Sequence, residues 1–129
     1  MSDEDCRALL EAGSVGRVAV TADALPVIAP VNYAAEGNNI VFRTKRDGML
    51  ARACDDAVIA FEIDELAPDG GGGWSVNVVG IATLVSDSEH VRLLSLWLVT
   101  AVGDERDQFV RMRIGLMHGQ RINTDVAAR

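Results

Sequence analysis

The sequence predicts a mainly-β fold: a small barrel of six antiparallel strands, with short helices only at the crossovers. Three observations predict it. Short apolar segments recur between clusters of Gly, Asn, Asp and Pro; helical patterns are few and brief; and one stretch, Trp74 to Val85, is apolar on both faces. So many short strands in 129 residues would leave exposed edges, and closure removes them. The doubly apolar stretch needs cover on both sides, so a homodimer is expected, with one face filling the barrel and the other meeting a second copy. Residues 1–129 read as a single domain, without repeats or a linker, long enough to bury roughly two-thirds of the unfolded surface.

Each element has a local signature. Asp3 or Asp5 can cap a first helix with Ala8, Leu9 and Ala12 on one face, and Gly13 ends it. Val15 to Thr21 and Pro26 to Tyr33 form a hairpin about Ala22-Asp23-Ala24, with Pro30 restricting pairing on one side of the second strand. Glu36-Gly37-Asn38-Asn39 is turn chemistry, so Ile40 to Lys45 returns antiparallel. Gly48 to Asp55 reads as a short helix, Ala57 to Ile63 as a strand rich in β-branched and aromatic residues, and Pro68 to Gly73 as a flexible connection. In the stretch from Trp74, the residues Trp74, Val76, Val78, Ala82 and Leu84 fall on one face and Val79, Ile81 and Val85 on the other. Ser86 and Asp87 can cap a helix through Glu89, Val91, Leu93, Leu94 and Trp97, and a last strand runs from Phe109 to Ile114, continuing towards Ile122.

Charge narrows the partners. A formal charge of -7 with a pI near 4.7 repels nucleic acid and anionic lipid alike. The acidic start Met1-Ser2-Asp3-Glu4-Asp5 is unlike a signal peptide, and no apolar run approaches the roughly 20 residues that span a bilayer, so a cytoplasmic protein is expected. Cys6 and Cys54 are too isolated for a redox pair or zinc knuckle, and His90 and His118 lack partner ligands, so no metal site is expected. Against this acidic background one segment is locally basic. Arg43, Lys45, Arg46 and Arg52 crowd into the span 43–52 beside a helix start, a setting suited to a phosphate. The plain competing reading is a solvated loop and helix face. Glu62, Asp64 and Glu65 lie where a strand runs into a loop and are expected to be exposed rather than catalytic.

Four blocks carry a family resemblance: Pro26-Val27-Ile28-Ala29-Pro30-Val31-Asn32-Tyr33, Ile40-Val41-Phe42-Arg43-Thr44, Ala60-Phe61-Glu62-Ile63-Asp64-Glu65 and Gly73-Trp74-Ser75-Val76-Asn77-Val78-Val79-Gly80. In order and spacing they resemble the pyridoxamine 5'-phosphate oxidase-like family of flavin-nucleotide-binding proteins, over nearly the whole chain. The resemblance implies a split β-barrel, a homodimer, and FMN held at the dimer interface with its phosphate on the strand-to-helix corner. Carried over by position, it places Pro30, Val31 and Asn32 at the ring edge, Arg43, Thr44 and Lys45 at the phosphate and ribityl chain, Gly48, Met49 and Leu50 at the helix start, and Trp74 and Ser75 beside the ring. Many members carry lysine at the position of Met49; methionine supplies no charge, so Lys45 or Arg46 would have to substitute. The basic and aromatic C-terminal segment of true pyridoxamine-phosphate oxidases has no match in 121–129.

No Ser-His-Asp set, Cys-His pair or P-loop is present, and flavin chemistry needs none, because the cofactor carries the reacting centre. The expected function is therefore an FMN-dependent oxidoreductase acting on a small-molecule substrate, with no catalytic side chain assigned. A deazaflavin cofactor, and a non-catalytic flavin- or ligand-binding protein with or without cofactor, are the alternatives.

Overall fold

The computed structural model describes residues 1–86, Ser88, Glu89, Arg92 and 107–122. The first helix, α1 (Asp3–Ala12), begins at Ser2 rather than at an aspartate. The Ser2 hydroxyl accepts from the Asp5 amide at 3.1 Å, and the Asp5 carboxylate accepts from the Ser2 amide at 3.4 Å. Asp5 thus serves as the reciprocal member of a capping box. The fully buried residues are Cys6 and Leu10, one turn apart; of the expected face Leu9 is partly buried against the core, while Ala8 and Ala12 are exposed. Gly13 closes the helix as expected.

β1 (Val15–Ala22) and β2 (Leu25–Glu36) form the expected hairpin, with Ala22 opposite Leu25. Asp23 and Ala24 both take positive φ, 51° and 66°, which twists the turn to match its strands. β2 then changes partner. Leu25 to Asn32 pair with β1, whereas Tyr33 to Glu36 pair with β3 (Asn39–Lys45). Pro26 and Pro30 both fall in the first segment, where the ladder runs along the β1 side, so a missing N–H is tolerated on the other. β3 pairs with β6 (Asp107–Ile122) along its whole length, and beyond Phe42 it diverges from β2. The one-turn helix α2 (Met49–Ala53), shorter than expected, leaves β3 and lies against β1 and β3, with Ala51 buried and Leu50 against the core.

β4 (Ala57–Leu66) and β5 (Gly73–Leu84) complete a closed ring in the order β1-β2-β3-β6-β5-β4. The connection between them is a hydrogen-bonded turn: the Ala67 amide donates to the Gly72 carbonyl at 2.8 Å and the Gly71 amide to Asp69 Oδ1 at 2.7 Å. The barrel is filled by Val18, Ile40, Phe42, Phe61, Val76, Val78, Val110 and Met112. Two close approaches demand glycine. A Cβ at Gly16 would strike the Phe61 ring, and one at Gly80 would strike the Arg113 carbonyl, beside the bulge where the β5–β6 register shifts.

β5 has the two faces read from its sequence. Val76, Val78 and Ala82 point inward, while Val79 and Ile81 remain on the outer surface, 38% and 59% exposed. Val85 departs from that grouping, since it lies past the end of the strand and is buried with Val41 and Phe109 in a small second cluster. The final strand extends to Ile122. The expected helix through Val91, Leu93, Leu94 and Trp97, together with His90, lies outside the described residues. Among the described residues no helix is long and apolar enough to cross a membrane.

Ala24 holds a left-handed conformation that costs an alanine about 1 kcal/mol relative to glycine. Ala24→Gly is therefore expected to raise unfolding stability by about that amount, read as a shift in urea midpoint at unchanged slope.

Candidate functional site

The predicted site residues fall into two groups. The first lies where β2 and β3 part. Asn32 is the last residue of β2 paired with β1, opposite Val15, and Arg43 is the first of β3 beyond the β2 ladder, opposite Phe109. Alternation points Asn32 and Pro30 to the outer surface, whereas Val31 is 6% exposed and belongs to the core, so any contact it makes with a ligand is through backbone. The same alternation sets Arg43 and Lys45 on one face of β3 and Thr44 on the other, opposite the buried Gln108. Gly48 caps α2 through its backbone, and Met49 is 44% exposed.

Arg43, Arg46 and Arg52 of this corner are already engaged. Asp107 sits opposite Lys45 in the ladder, and its Oδ2 lies 3.7 Å from Arg43 Nη1, with side-chain exposures of only 24% and 13%. Arg46 donates to the Asp107 carbonyl at 3.3 Å, and Arg52 donates to the Asp47 carbonyl at 2.6 Å. No local spacing in the sequence marks Asp107 as part of the corner; the β3–β6 register brings it there.

The second group is Trp74 and Ser75 at the start of β5. Ser75 is 4% exposed and lies opposite Asp64, and Trp74 lines a cavity of about 220 Å³ with Leu9, Val15, Ile63 and Glu65. In the closed ring β2 and β5 are separated by β1 and β4 on one side and by β3 and β6 on the other, so Asn32 and Ser75 lie three strands apart in either direction. The predicted ring contacts on β2 and on β5 are therefore not adjacent within one copy of the chain.

Between the two groups lies a cluster expected from the sequence to be exposed. Arg17 Nη1 donates to Glu62 Oε1 at 2.8 Å and to Asp64 Oδ2 at 3.1 Å. Glu62 and Asp64 are half-buried on the outer sheet face rather than splayed into solvent, because both share a cross-strand neighbour that sequence distance concealed. Burial first, and the neighbouring Asp64 second, push the Glu62 carboxyl above its ordinary range, against the pull of Arg17. The cluster rims a cavity of about 390 Å³ whose apolar walls include Ala19, Ile28 and Ala60. The next row across the sheet is apolar throughout: Ile28, Ala19, Ala60, Val79 and Leu116, with Val58 and Ile81 beside it.

The fold and the placement of these blocks can be set against known proteins. A model of the family described as pyridoxamine 5'-phosphate oxidase matches residues 2–121. The chain belongs to this family. Within the wider set of relatives it is similar to the uncharacterized protein Rv0080 of Mycobacterium tuberculosis, 39% identical over 132 residues, covering 95% of this chain and 84% of that protein. The FAD-binding protein of Mycobacterium smegmatis superposes with a TM-score of 0.77 at 27% identity, covering 95% of this chain and 97% of the other. An FAD-binding protein of Mesorhizobium loti shares the fold at 22% identity, with a TM-score of 0.75 over 95% and 96% of the two chains. As a member of the pyridoxamine 5'-phosphate oxidase family, the chain has the six-stranded antiparallel ring expected from its sequence.

Arg17→Gln removes the cation that bridges two carboxylates. With Glu62 already raised, loss of Arg17 raises it further, so the variant gains protons on folding and is stabilised as pH falls. The expected cost, about 0.5 to 1 kcal/mol at pH 7 after allowance for solvent screening, shrinks below about pH 5. Urea midpoints at the two pH values measure it.

Proposed function

We propose that the chain is a flavin-dependent oxidoreductase whose flavin nucleotide, FMN in the reading drawn from the sequence, lies between two copies of the chain. The observation that carries this reading is the separation of the two groups. Asn32, Arg43 and Lys45 are one half of a site, and Ser75, buried within one copy, is the other, three strands away around the same barrel. A second copy can complete each half. The apolar row from Ile28 through Val79 to Leu116 supports such pairing, since Ile28 and Leu116 are 71% and 72% exposed and Val58 and Ile81 extend the patch.

The donor set suits a flavin nucleotide. Arg43 and Lys45 offer a guanidinium and an ammonium to phosphate, while the exposed Asn32 amide and the Ser75 hydroxyl suit the polar edge of a ring. The 27% identity to the FAD-binding protein of Mycobacterium smegmatis over nearly the whole chain supports the same cofactor class. A bound flavin would supply the electron transfer; the chain's residues would bind, orient and shield it. Buried Cys54, its thiol pushed up to about 11 by burial, is no nucleophile at neutral pH.

Arg43→Ala is expected to weaken FMN binding about tenfold or more, the loss of one charge-assisted contact, whereas Arg7→Ala, on α1 with its guanidinium donating to Asn38 Oδ1, leaves it unchanged. Fluorescence titration measures both, and equal effects would remove the phosphate-anchor argument. Val79→Asp places a charge in the apolar row and is expected to shift the protein from dimer to monomer in sedimentation velocity; an unchanged profile would contradict that interface.

A further inference from the structure

The corner at the end of β3 is not purely basic. Its cations Arg43, Lys45, Arg46 and Arg52 share it with the acidic residues Asp47 and Asp107. Of these carboxylates Asp107 has the central position. It stands opposite Lys45 in the β3–β6 ladder, two pairs along from Arg43, so its side chain shares a face with both cations proposed to hold phosphate. It approaches the Arg43 guanidinium at 3.7 Å in a largely buried setting, and its backbone carbonyl accepts from Arg46. Partial burial keeps water from screening such a contact, so the carboxylate repels an incoming anion in proportion to that anion's charge. Met49, at the start of α2, adds no compensating cation.

We propose that Asp107 sets which phosphate this corner accepts, favouring flavins whose phosphates are singly charged diesters over flavins ending in a doubly charged monoester. The inference rests on the flavin reading above and deepens it. A terminal phosphate carries about 1.5 to 2 negative charges at neutral pH, whereas each phosphate of a dinucleotide's diphosphate bridge carries about one. A carboxylate held between the two phosphate-binding cations penalises the first more than the second. Asp107 is a specificity-determining residue in this account and touches no reacting atom.

The test is equilibrium fluorescence titration of the apoprotein with FMN, FAD and riboflavin, the last lacking phosphate. For the unaltered chain, FAD is expected to bind about tenfold more tightly than FMN, the size of one partly screened charge contact. Asp107→Asn should tighten FMN by about that factor, move FAD less, and leave riboflavin unchanged. Met49→Lys, at an exposed position, supplies a second route should Asp107→Asn fail to fold, and it should also tighten FMN more than FAD. An unchanged FMN-to-FAD ratio in the folded variants, or a loss of both ligands in Asp107→Asn, would overturn the role of Asp107 while leaving flavin binding intact. Failure of the unaltered chain to bind any of the three would overturn the flavin reading, and this inference with it.

Discussion

The structure depends on one strand changing partners. β2 cannot follow a single neighbour along its length: up to Asn32 it belongs to the β1 hairpin, and from Tyr33 onward to β3. Tyr33 pins the changeover. Its amide donates to the Ser14 carbonyl at 3.0 Å and its hydroxyl to the Leu10 carbonyl at 2.7 Å, which anchors α1 at its C-terminal end. Its ring meets Phe61 edge-on at 4.8 Å, under the space that Gly16 leaves open. Burial pushes the phenol up to about 12, so this hydroxyl remains a donor at any ordinary pH.

That divergence arranges the segments downstream of β2. β3, released from β2, is held at its end by the ladder to β6, and that ladder carries Asp107 to Lys45 and Arg43. α2 covers the opening from the β1 side. The corner therefore joins a strand end, a helix start and a remote carboxylate, so a locally basic segment gains an acidic partner. The outer face obeys the same geometry: across β1, β4 and β5 it alternates a charged row, Arg17 with Glu62, and an apolar row through Ala19, Ala60 and Val79.

Much of this was legible in the sequence because it depends on neighbours in the chain. Alternation identified the strands, Gly37 and Asp23 identified hairpin turns, and the two apolar faces of β5 were visible as a pattern. The family blocks located the candidate residues, since their order and spacing are properties of the chain. The first helix shows where local reading stops: its expected cap is Asp3 or Asp5, whereas the hydrogen bonds put Ser2 there with Asp5 as its reciprocal partner.

The sequence by itself determined the six strands, the ring they form, and which segment carries the cations. Only the tertiary structure decided what those cations face. Arg17 meets Glu62 and Asp64, and Arg43 meets Asp107, across sequence separations that no periodicity spans. The separation of Asn32 from Ser75 likewise emerges from the ladders that set two strands between them on either side of the ring. The physical reason is that periodicity sets the face a side chain occupies, whereas strand order and register set its neighbours.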